Sequence, residues 1–111
     1  PTTRGLLLYE LDAPSGFILW QHGPDSAEIY TLAIRPVARR KGYARQLLQA
    51  AEAALAKDGI LRVVLDVAVD NLPAHALYAN NGYAEIARRA GYYQRPDGER
   101  ADAIVMEKQL G

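Results

Sequence analysis

Five cations and no acid fall within "IRPVARRKGYARQLL", residues 34–48: Arg35, Arg39, Arg40, Lys41 and Arg45. Apolar periodicity places the longest helix of the chain directly after them. A helix N-terminus already carries positive partial charge, so cations gathered there are unfavourable unless an anion joins them. The same stretch holds Gly42, whose missing side chain lets backbone approach closely, and the small Ala44. Helix N-terminal amides, a glycine and flanking Arg and Lys together make a cradle for a phosphate-like anion. A solvated basic patch is the plain alternative, and the dipole argument weighs against it. Neither GxxxxGK[ST] nor GxGxxG occurs here, which disfavours nucleoside-triphosphate and dinucleotide readings.

The elements that must position this loop are legible from pattern. "GLLLYEL" (5–11) and "GFILWQH" (16–22) are β-rich runs separated by the turn "DAPSG" (12–16), and "GPDS" (23–26) leads into "AEIYTLAIRP" (27–36). These form an antiparallel meander whose third strand ends at Pro36, since proline cannot donate to a ladder. Ala44, Leu47, Leu48, Ala51, Ala54 and Leu55 define one helical face, with Gln46, Gln49, Glu52 and Lys57 off it. Gly59 is the expected stop. "ILRVVLDVAV" (60–69) alternates at Leu61, Val63, Leu65, Val67 and Val69 as a buried strand. Strand, helix and strand predict a right-handed crossover, and hence a parallel pairing of 60–69 with 27–35. A second helix is capped by Asp70 or Asn71, carries Pro73 in its first turn and ends at Gly82. Strands over 83–93 and 101–110 flank the loop "QRPDGER". The fold class is mixed α/β: a mostly antiparallel sheet with a central parallel pair and two helices.

At 111 residues the chain is one domain, residues 1–111, with room for a single core. It has no cysteine, which excludes disulfides and thiolate metal sites, and no metal is expected. No apolar run approaches the ~20 residues that cross a bilayer, and no signal peptide precedes the first strand; a cytoplasmic location is the default expectation. Bases and acids balance at 13 each, so the cluster leaves eight bases against thirteen acids elsewhere. That asymmetry favours a local anion site over a surface-wide polyanion binder.

Arg39-x-x-Gly42-x-Ala44 resembles the [Q/R]-x-x-G-x-[G/A] signature of the GNAT acetyltransferase superfamily. "LAIRP" upstream and "VLDVAVDNLPAHALYANNGY" downstream resemble the neighbouring strand and helix of that family. The C-terminal "RRAGYYQRPDGERADAIVMEKQL" is similar to the end of its ribosomal-protein N-terminal alanine acetyltransferase branch. The similarity runs from about residue 27 onward, whereas residues 1–26 fit only as generic strands.

This resemblance implies the GNAT fold and a set of roles. Backbone groups of Leu32, Ala33 and Ile34 would bond the pantetheine arm of acetyl-CoA as an added strand. Arg40, Lys41, Gly42, Tyr43, Ala44 and Arg45 would hold its pyrophosphate, with Arg39 beside them. Asn71 matches a co-substrate contact, with helix capping as its plain role. Tyr78 matches the general acid that reprotonates the leaving thiolate; otherwise it is a core aromatic. Asp66 stands where the branch has a glutamate base and is one methylene shorter; pairing with Arg62 is its plain role. Glu28 is the rival base. Tyr92 and Tyr93 fall where the branch clasps its peptide, or shield an edge strand. His22 and His75 match no family position and are read as surface residues.

Full-length relatives begin with a strand and two helices that have no counterpart ahead of residue 5. Initiator methionine is readily removed before proline, so Pro1 is read as compatible with a native start. An uncovered sheet face or edge would then favour a homodimer. The implied activity is acetyl-CoA-dependent N-acetylation of a primary amine, foremost a protein or peptide N-terminus, by direct attack. A small-amine acetyltransferase and a non-catalytic acyl-CoA-binding module are the alternatives. A nucleic-acid-binding domain is disfavoured, because the patch lacks interleaved aromatics, and no membrane partner is expected.

Overall fold

The computed structural model describes residues 2–39 and 41–111, apart from the side chains of residues 2 and 37. Along the chain come β1 (Thr2–Glu10), β2 (Ala13–His22), β3 (Ser26–Ile34), a 3-10 turn (Pro36–Ala38), α1 (Tyr43–Lys57), β4 (Arg62–Ala68), α2 (Leu72–Asn80), β5 (Ala84–Gln94) and β6 (Arg100–Gln109). The strands hydrogen-bond in the order β1-β2-β3-β4-β6-β5. Two compact units divide the chain, one running through Val63 and including Gln109–Gly111, the other Val64–Lys108.

In the first unit β1, β2 and β3 form the antiparallel meander, Leu6 opposite Ile18 and Ile18 opposite Leu32. The first turn is shorter than "DAPSG" suggests. It is Leu11–Asp12, with Leu11 in the left-handed region at φ 55°. Pro14 and Gly16 instead lie within β2. A register shift between Leu8 and Tyr9 accommodates the proline, which a regular inner strand would reject. Gly16 answers to crowding rather than to turning: a Cβ there would stand 2.8 Å from the Ala33 carbonyl oxygen. The Leu61 amide donates to the Asp25 carbonyl at 2.8 Å, joining the starts of β3 and β4, so the two strands run parallel as expected.

Helix α1 packs on β1, β2 and β3. Leu47, Leu48, Ala51 and Leu55 are buried, as the period predicts, and each leucine contributes roughly 1.5–3 kcal/mol by leaving water. Glu52, expected on the solvent side, is only 8% exposed. It lies one turn from both Leu48 and Leu55 and borders the apolar stripe. Gly59, at φ 80°, follows the helix. These contacts hold the helix, and therefore its N-terminus, against the meander.

In the second unit Val69 N–H donates to Asp102 O at 2.9 Å, so the end of β4 meets the start of β6 and they run antiparallel. Leu65, Val67, Tyr78, Tyr83 and Ala103–Met106 are buried there, with Val63 continuing the alternation in the first unit, whereas Leu61 is 53% exposed. Leu61 precedes β4, and its backbone is committed at both ends: its N–H to Asp25 and its carbonyl to Leu110. β5 pairs with β6 through two register shifts.

Candidate functional site

Pro36 ends the β3 ladder, and the buried Ala38 anchors the short turn that follows. Gly42 caps α1 at φ 78°, a conformation costly for any residue with a Cβ. Among the described residues no side chain caps this helix, and its first turn contains no acid. The first hydrogen bond along α1 is Gln46 N–H to Gly42 O at 3.1 Å, so the amides of Tyr43, Ala44 and Arg45 have no acceptor within the helix. A Cβ built on Gly42 would meet nothing within 4 Å, so crowding does not require the glycine and its left-handed backbone does. Arg35 and Arg45 are exposed around them. Arg40 lies outside the described residues.

The remaining cations of the loop already have partners. Arg39 turns back, its Nε donating to the Ile34 carbonyl at 3.2 Å. Lys41 Nζ and Tyr43 Oη both donate to Oε2 of Glu10, at 2.8 and 2.6 Å. The Lys41 bond, then the Tyr43 bond, holds the Glu10 carboxyl below its ordinary value. The same carboxylate raises both Lys41 and Tyr43. Leu32, Ala33 and Ile34 are half-buried and pair through β2 with Ile18, Phe17 and Gly16. An apolar groove of about 290 Å³ passes Ala33 and Ile34 and reaches Arg35. Glu28, opposite Gln21 on β3, is half-buried and makes no side-chain hydrogen bond or ion pair with a described residue.

In the second unit Tyr78 is 8% exposed, edge-on to Tyr83 with ring centroids 5.6 Å apart. Among the described residues its hydroxyl has no hydrogen-bond partner. Burial, and secondarily the charge of Tyr93, raises its pKa. Tyr93 is itself raised by burial first and by Asp66 second, so base candidate, tyrosine and acid candidate are electrostatically linked. The Asp66 side chain is 10% exposed, and its Oδ1 lies 3.4 Å from Arg89 Nε. That distance makes an ion pair, while the same oxygen accepts no hydrogen bond from a described residue. Arg89 also stands 5.2 Å over the Tyr92 ring, which meets Tyr93 edge-on at 5.1 Å. A bulge sets the two tyrosines: between Arg89 and Tyr93 β5 gains residues against β6, and Gly91 N–H donates to Asp102 Oδ1 at 2.9 Å.

Asn71 caps α2, its Oδ1 accepting from Ala74 N–H at 3.3 Å, with Pro73 in the first turn. Asn71→Ala should lower stability by about 1 kcal/mol, and Asn71→Asp, which keeps the cap, should not. Thermal melts of both variants test this. Equal losses would mean that capping is not what Asn71 contributes.

Both histidines are half-buried. His22 donates from Nδ1 to the adjacent Gly23 carbonyl at 2.9 Å, and its Nε2 is buried without a partner among the described residues. Glu10 is the residue that sequence reasoning missed. It lies 31 positions from Lys41 in a strand with no motif of its own, and only pairing of β1 and β2 with α1 packed across them joins the two.

Residues 2–83 match the Acetyltransferase (GNAT) family. A [Ribosomal protein bS18]-alanine N-acetyltransferase of Haemophilus ducreyi is 36% identical over 101 residues, 91% of this chain and 70% of that protein. The crystal structure of the ribosomal-protein-S18-alanine N-acetyltransferase from Escherichia coli superposes with a TM-score of 0.92 at 31% identity, covering 98% of this chain and 70% of that one. A GNAT family acetyltransferase from Elizabethkingia anophelis with acetyl-CoA bound shares the fold, at a TM-score of 0.86 and 15% identity over 96% of this chain and 76% of that one. The chain spans 62–70% of the length of the bS18-alanine N-acetyltransferases it matches.

Proposed function

Since the chain belongs to the GNAT acetyltransferase family, we propose that it transfers an acetyl group from acetyl-CoA to the α-amine of a protein N-terminus. The observation that carries the donor half is the uncapped start of α1: open amides, left-handed Gly42 and no acid in the first turn. Here the pyrophosphate would bond the amides of Tyr43, Ala44 and Arg45, with Arg39, Arg40 and Lys41 as countercharge. The backbone of Leu32, Ala33 and Ile34 would take the pantetheine arm. Support for a peptide acceptor comes from the bS18-alanine enzymes at 36% identity.

In this reading Asp66, with Glu28 as its rival, removes the proton from the amine. The amine attacks the thioester carbonyl, β3 backbone amides polarise the carbonyl oxygen, and the C–S bond breaks. Tyr78 then gives its proton to the departing thiolate, and the second N–H proton, shed by the nitrogen as the amide forms, restores the phenol. Tyr92 and Tyr93 line the acceptor side. Calorimetry should give saturable acetyl-CoA binding that weakens with salt, because exposed cations supply part of it. Thiol release should then follow addition of a short peptide with an N-terminal alanine. Binding without release from any amine would reduce the chain to an acyl-CoA-binding module, and absence of binding would remove the reading.

A further inference from the structure

Glu10 ends β1 at the rim of the first hairpin and reaches the cation cluster with a single oxygen. That oxygen accepts from both Lys41 and Tyr43, which flank the helix-capping Gly42. Arg35 adds its field to the same carboxylate. α1 has no acid in its own first turn, so Glu10 is an anion that this basic loop binds from a distant strand. Resting on the acetyl-CoA reading above, we propose that Glu10 is an internal competitor of the diphosphate: it occupies two donors of the loop and thereby sets the affinity for the co-substrate.

The physical case is one of shared donors and unequal charge. A carboxylate offers one negative charge to Lys41, and a diphosphate offers at least two. The Lys41 and Glu10 side chains are 45% and 34% exposed. An ion pair so open to water is weak, and its exchange for a phosphate is readily reversible. Removing the competing charge frees Lys41 and raises the positive potential of the loop. Tighter binding follows, for substrate and for the released CoA alike, because both carry the diphosphate.

The experiment is calorimetric titration of CoA into wild type, Glu10→Gln, Lys41→Met and the double variant, with matched melting curves. Glu10→Gln should bind CoA about three- to fivefold more tightly, the scale of an exposed ion pair. S-Acetylpantetheine, which lacks the diphosphate, should bind both forms alike. Lys41→Met should cost more affinity in the Glu10→Gln background than in wild type, a coupling that a merely structural glutamate would not produce. Unchanged or weaker CoA binding by Glu10→Gln, equal tightening towards S-acetylpantetheine, or equal Lys41→Met losses in both backgrounds would each overturn the proposal. Failure of folded wild type to bind CoA would remove the acetyl-CoA reading itself. Binding that is the same with and without Glu10 removes only the competitor.

Discussion

Tyr78→Phe should lower the rate of acetyl transfer roughly 10²–10⁴-fold, the range supplied by a positioned general acid, while CoA affinity and melting temperature stay near wild type. The ring is buried and edge-on to Tyr83, contacts that phenylalanine keeps. Its hydroxyl bonds no described residue, so deletion strands no partner, and the change in stability should stay within about 0.5 kcal/mol. Burial, and then Tyr93, raises the phenol, so it is protonated throughout the neutral range. A thiol titrates near 8.5, below an ordinary tyrosine at about 10. In the proposed mechanism Tyr78 would therefore act chiefly as a hydrogen-bond donor to sulfur as its negative charge grows, with the proton following as the product departs. Single-turnover thiol release, paired with CoA calorimetry, separates this from packing. A variant that turns over at the wild-type rate would leave Tyr78 a core aromatic.

The parts of this molecule that local chemistry dictates were legible in its residues. The α1 stripe, the Asn71 cap and the end of β3 at Pro36 each depend on neighbours a few positions apart, so local pattern is enough to place them. Local pattern misleads where distant strands decide. Pro14 and Gly16 look like turn residues, yet the β1 register shift admits the proline and close approach of Ala33 demands the glycine. Asp66 pairs with Arg89 across 23 positions of sequence, and the bulge that sets Tyr92 and Tyr93 closes on Asp102. Charge count drew attention to the basic loop, but the Glu10 carboxylate that holds Lys41 is fixed by the meander and α1, which no local pattern reports. Family membership required the motif as a whole; the fold required only period and punctuation.

Asp66→Asn should lower kcat/KM by roughly 10²–10⁴, and Glu28→Gln by less than about tenfold. The case for Asp66 is environmental. Its side chain is 10% exposed, its Oδ1 accepts no hydrogen bond from a described residue, and its charge reaches Tyr93, which in turn influences Tyr78. Acid and base candidates thus lie in one compact unit with an electrostatic link between them. Glu28 lies in the other compact unit. Asparagine preserves the shape of Asp66, and the Arg89 it would leave unpaired is 54% exposed, so the guanidinium stays solvated and the fold should survive. Asp66→Glu tests reach: the added methylene restores the length used by the resembled branch, and activity should remain within about tenfold of wild type, directly or through a bridging water. Steady-state kinetics on an N-terminal-alanine peptide compares all three variants. A larger loss in Glu28→Gln than in Asp66→Asn would move the base to β3 and leave Asp66 as the ion-pair partner of Arg89.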